Sequence, residues 1–171
     1  MKKLVLTLLI TLSTTILAKT PDSLFGVYIN DNVLDYVTPW EFDSHYEASA
    51  KGFYGLEMWF PPIRNKDWSD KLYVKFDNNN KIGSIHSEKK FQNSETCEKV
   101  EYDVRKALEN KYSKELSKNP YTNYGFYKWV GDNVMMTECR VFSDDDITLI
   151  ISLHTKKYVV RLNESKSKSR I

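Results

Sequence analysis

The chain has 171 residues, with 25 Lys and Arg against 23 Asp and Glu, a formal net charge of +2. Setting aside Lys2, Lys3, Lys166, Lys168 and Arg170 at the two ends, with Glu164, leaves 20 basic and 22 acidic side chains over residues 19–163. A body of net −2 lacks the concentrated positive footprint from which nucleic-acid binders draw their affinity, and that class is excluded.

The first eighteen residues, MKKLVLTLLITLSTTILA, have the layout of a secretory signal peptide. Lys2 and Lys3 form the positive start, Leu4 to Leu17 the apolar run, and Ala18 the small residue before cleavage. Ile16 is larger than the residue usual two places earlier. The apolar run of about 14 residues is too short for a bilayer core that needs roughly 20. Cleavage after Ala18 is expected, with a periplasmic or secreted location and no stable membrane insertion. Residues 19–163 are then expected to form one α+β domain, and 164–171 a flexible basic tail. A chain of that length buries roughly 68–70% of its unfolded surface, enough for a core without a dense set of staples.

LFGVYI, residues 24–29, reads as a first strand. Asn30 or Asp31 can cap a short helix that stops before Pro39. GFYGLEMWF alternates Tyr54, Leu56, Met58 and Phe60 toward a buried face, which puts Phe53 and Trp59 on the other. KLYVKF alternates Leu72, Val74 and Phe76. Asp77 to Lys81 is turn chemistry, and IGSIHSEKKF returns as a strand with Gly83 a candidate bulge.

The stretch SETCEKVEYDVRKALENKY repeats apolar residues at three- and four-residue spacing: Cys97, Val100, Val104, Ala107 and Leu108. It predicts the main amphipathic helix, over about 94–117, with Ser94 as N-cap and Asn119-Pro120 past its end. Three strands follow in YGFYKWV, NVMMTECRVF and ITLIISLH, and YVVRL reads as a further one. The expected fold is an antiparallel sheet of about six to eight hairpin-connected strands packed by one main helix, with a short N-terminal helix.

Alternation places Met135, Thr137, Cys139 and Val141 on one strand face, and Cys97 lies on the helix stripe. In an exported chain with two cysteines, pairing across the helix–sheet contact is the default. It closes a loop of about 43 residues, worth roughly 4 kcal/mol in the chain-entropy picture. A zinc site lacks paired ligand spacing. Asp77, Asn79 and Glu88 match three positions of a calcium loop, but Lys81 and Ile82 stand where a ligand and a glycine are required. Asp144 to Asp146 reads as a solvated turn. No metal or cofactor is expected.

No nucleophile elbow, phosphate loop or zincin motif occurs. The feature above background is aromatic density, and Phe53, Trp59, Trp68, Tyr127 and Trp129 are the candidate binding residues. The same residues could instead fill a second small core or cover the sheet's outer face. The sequence reads best as an exported, non-enzymatic binding module for a protein partner of the inhibitor or immunity kind, or for a cell-wall fragment. A small extracytoplasmic hydrolase built around His86 with an unrecognised acid is the alternative; an envelope assembly factor working through a sheet edge is another.

Overall fold

The computed structural model describes residues 20–64, 66–119, 125–143 and 146–168. Within them the chain lays down two antiparallel meanders of four strands each. The first runs through β3 (Tyr46–Glu47), β4 (Phe53–Met58), β5 (Lys71–Asp77) and β6 (Ile82–Phe91). The second runs through β7 (Ser117–Lys118), β8 (Gly125–Val130), β9 (Asn133–Ser143) and β10 (Asp146–Thr155). Antiparallel pairing of β6 with β10, from Ile147 opposite Phe91 to His154 opposite Ser84, fuses them into one sheet of order β3-β4-β5-β6-β10-β9-β8-β7. Fold and sheet type therefore follow the period-2 pattern.

Helix α2 (Ser94–Tyr112) must carry the chain from the centre of this sheet to its far edge. It does so by lying across β9, β10 and β6, where Cys97, Val104 and Leu108 meet Ile85, Met135, Cys139, Leu149 and Ile151 in the main core. Cys97 and Cys139 are disulfide-bonded, with Cα atoms 6.0 Å apart. Behind that bond the buried Glu101 accepts from Thr137 Oγ1 at 2.5 Å and pairs with Arg105 at 3.3 Å. Burial outweighs these partners and keeps the Glu101 carboxyl above its ordinary range.

The helix is capped by Asn93, whose side chain accepts from the Thr96 N–H, rather than by Ser94. It ends at Tyr112, five residues before the expected end. Ser113 takes the left-handed conformation at φ 51°, and Glu109 Oε1 accepts from Leu116 N–H at 3.0 Å. That bond turns the buried Leu116 back under the helix end, a closure that periodicity alone does not encode.

Four further differences separate sequence from structure. LFGVYI is a tight hairpin, β1 (Ser23–Leu24) and β2 (Val27–Tyr28), because Phe25 and Gly26 both take positive φ, the requirement of a two-residue turn of this hand. Pro39 starts a helix, α1 (Pro39–Asp43), while the stretch before it holds only a 3₁₀ turn at Val33–Asp35. Phe60 is exposed, because β4 stops at Met58 ahead of Pro61-Pro62.

YVVRL is helical, within α3 (Lys156–Lys168), which also runs through the first five residues of the expected tail. The β-branched Val159 and Val160 favour a strand locally. Thr155 Oγ1 nevertheless accepts from the Tyr158 N–H and starts a turn. Tyr158 and Leu162, four apart, then bury against Phe53, Ala48 and Ala50 in a second core. Gly83 is the bulge residue, skipped between the Lys75–Ser84 and Phe76–Ile82 pairs. A Cβ there would fall 2.4 Å from the Phe53 ring, so glycine is what lets Phe53 lie over β6.

The expected turn at 77–81 is present: Asp77 Oδ1 accepts from the N–H groups of Asn79 and Lys81, and Lys157 contacts Oδ2. Residues 1–18, Tyr121, Tyr124 and Asp144-Asp145 lie outside the described residues. Among those described, no helix is long and apolar enough to cross a membrane. Replacing both cysteines by serine should lower the unfolding free energy by about 3–4 kcal/mol, read from urea titration of the variant beside the native protein.

Candidate functional site

The five aromatic residues singled out by density do not form one surface. Phe53 is 2% exposed and belongs to the second core, because α3 covers that end of the sheet's other face. Trp68 is half-buried against the main core. Tyr127 and Trp129 do share a face, opposite Phe126, which turns to α2 beneath Arg105 at 4.0 Å. They lie five strand steps from β4, about 24 Å away across the sheet. Trp59 alone projects from the first meander.

Around Trp59, however, the fold gathers residues that density did not single out. Trp40, Trp59, Phe60 and Ile63 are 63%, 57%, 67% and 57% exposed, from α1 and the loop after β4. The Trp40 and Trp59 rings pack edge to face with centroids 5.5 Å apart. Arg64 donates to the Trp59 carbonyl and stacks its guanidinium 5.5 Å from the Phe60 ring centre. Ile63 N–H donates to Phe25 O at 3.1 Å, and a Cβ on Gly26 would meet Pro62 at 3.0 Å, so the loop sits hard on the β1–β2 turn.

The device holding this loop is Glu41, 2% exposed. Thr38 caps α1 and Glu41 answers it: Glu41 N–H donates to Thr38 Oγ1, while Glu41 Oε2 accepts from the Thr38 N–H at 2.8 Å. Its other oxygen accepts from the Trp59 N–H at 2.9 Å. One carboxylate thus ties the start of α1 to the first residue of the loop. Burial would push its carboxyl up; the N–H groups of Thr38 and Trp59 outweigh burial and hold it below 4.5. The sequence signal for this device was Thr38-Pro39-Trp40-Glu41, a capping box with proline at N1.

The other sheet face carries a polar row. Register sets Glu57, Tyr73, His86, Ser152, Met136 and Tyr127 side by side across six strands. His86 Nε2 lies 2.9 Å from Glu88 Oε1, and burial holds its pKa below 6.5 despite that carboxylate, which favours a neutral ring near pH 7. Ser84 pairs with His154 rather than His86, at 2.8 Å from Nδ1. His154 is covered by α3, its ring stacked 5.3 Å from Tyr158. Burial, with His86 and Lys75 nearby, brings it down to about 3. Ser84 is fully buried, so this serine–histidine pair faces no substrate approach.

Among the described residues, no three His, Cys, Asp or Glu side chains gather as a metal centre would require. Comparison of the chain with known protein families, curated proteins and solved structures finds no match.

The linkage sign at Glu41 is set by its depressed folded value. Its contribution is present above about 4.5 and lost as pH falls through the lower folded pKa. Amide exchange at Trp59 should therefore rise in acid, measured relative to the β6–β10 amides. Glu41→Ala should raise it already at neutral pH and lower stability by about 2 kcal/mol.

Proposed function

We propose that the protein is an exported, non-enzymatic binding module that engages a protein partner through the Trp40–Trp59–Phe60–Ile63 cluster. The observation that carries this reading is the combination of exposure and fixation. Four large apolar side chains are exposed on α1 and the adjoining loop, two of them in ring contact, on backbone pinned by a buried carboxylate. Soluble proteins seldom leave such a patch open without use. Trp in particular supplies wide contact area at low cost in conformational freedom. A loop held in place before binding loses less entropy on association than a mobile one.

Two features support export: the signal-like start of the chain, and a disulfide that an oxidising compartment would preserve. The partner is of the inhibitor or immunity kind in its demands: a surface with a pocket for one or two rings. Tyr127 and Trp129, about 24 Å away, are a separate patch and not part of this contact.

Extracytoplasmic proteins retained by the immobilised protein provide the test. Trp40→Ala, Trp59→Ala and Phe60→Ala together should lose a partner that Tyr127→Ala with Trp129→Ala still retains. Trp59→Ala alone should weaken it at least thirtyfold, about 2 kcal/mol. Recovery of the same partners by the triple variant would remove the proposal.

A further inference from the structure

Between α2 and the β1–β2 hairpin lies a cavity of about 280 Å³. Phe25, Trp68, Val104, Leu108 and Ile151 wall it, so it reaches from the surface to the buried face of β10. Its lining is apolar except at one end. There Lys111 Nζ stands 3.3 Å from Ser23 Oγ, and both residues line the space. Tyr112 fixes this end by donating its hydroxyl proton to the Ser23 carbonyl oxygen at 2.8 Å, which ties the hairpin to the helix.

Lys111 is the one charged residue lining the cavity, and among the described residues no carboxylate forms an ion pair with it. An apolar slot ending in an ammonium and a hydroxyl has a definite complement. We propose that it binds a small apolar monocarboxylate, its hydrocarbon body in the slot and its carboxylate between Lys111 and Ser23.

Size narrows the class. Ligand pockets run from about 300 to 1,000 Å³, and this one lies just below that range. A short-chain or compact aryl acid fits; a full-length fatty acid does not. Burial of the body supplies most of the binding free energy. The ammonium, partly solvated, supplies discrimination more than strength. The proposal does not depend on a protein partner, since the slot opens beside the Trp40–Trp59–Phe60–Ile63 cluster and shares only Ile63 with it.

Calorimetric titration of the purified protein with octanoate tests it, with 1-octanol as the analogue lacking the carboxylate and tryptophan emission as the second readout. Octanoate should bind one to one and shift the emission, and octanol should bind about five- to tenfold more weakly. Lys111→Gln should bring octanoate to the level of octanol. Ala107→Phe, which fills the slot, should abolish both.

The triple Trp40, Trp59 and Phe60 variant should keep octanoate binding, so loss of the protein partner and loss of the acid are separable results. Absence of saturable octanoate binding would overturn the proposal. So would equal affinity for octanol, or unchanged binding in Lys111→Gln or Ala107→Phe.

Discussion

The packing of α2 across the β6–β10 pairing is the constraint on which the rest of the structure depends. β6 and β10 are distant in sequence, and each closes its own meander. Their pairing has no hairpin to set its register, so the residues on the covered face must set it. Ile85 opposite Leu153 and Ser87 opposite Ile151 form that face at the seam. A slip of one position would turn Leu153 and Ile151 to the other side and His154 and Ser152 toward the helix. Registers displaced by one position therefore expose the apolar set that lies beneath Val104 and Leu108. The disulfide fixes where the helix begins on β9, and the Glu101–Thr137–Arg105 cluster leaves little freedom to rotate it. Unpairing that cluster would strand a buried carboxylate, which is costly.

Both surface features of interest are consequences of this frame. The β1–β2 hairpin can sit beside α2 because Tyr112 reaches its backbone, and the slot is the space left between them. The hairpin turn in turn supports the loop after β4 through Phe25 and Gly26. Glu41 then fixes that loop from the opposite side. Small shifts at the hairpin would therefore reach both the slot and the aromatic cluster, since Ile63 touches each.

Much of the frame was legible because it rests on strong periodicity. Alternation in β4, β5, β6, β9 and β10 and the stripe of α2 each bury a mainly apolar set, interrupted by Ser87, Thr137 and Glu101, and Cys97 with Cys139 fall where those sets face each other. What was hidden depended on particular partners. Val159 and Val160 suggest a strand until Phe53, free to lie over Gly83, offers Tyr158 and Leu162 something to cover. Leu116 leaves the helix path because its N–H donates to Glu109 Oε1, a bond that no spacing rule encodes. Phe25 in a left-handed turn is an unfavourable local choice that its contact with the main core offsets. At the candidate site, density pointed both to Trp59, which is exposed, and to Phe53, which is buried, since alternation assigns a face and cannot say what covers it. Trp40 follows a proline that reads as a stop for the preceding stretch, although Thr38 and Glu41 mark a start.

Native-state hydrogen exchange resolved by residue is the direct test of the central claim. If α2 and the seam depend on each other, amides of Val104 to Leu108 and of Ile85, Ile151 and Leu153 open together as the slowest-exchanging unit. Reducing the disulfide should then speed both sets by the same factor while β4 and β5 change less. Fast exchange in α2 beside an undisturbed, slowly exchanging β6–β10 pairing would contradict the account.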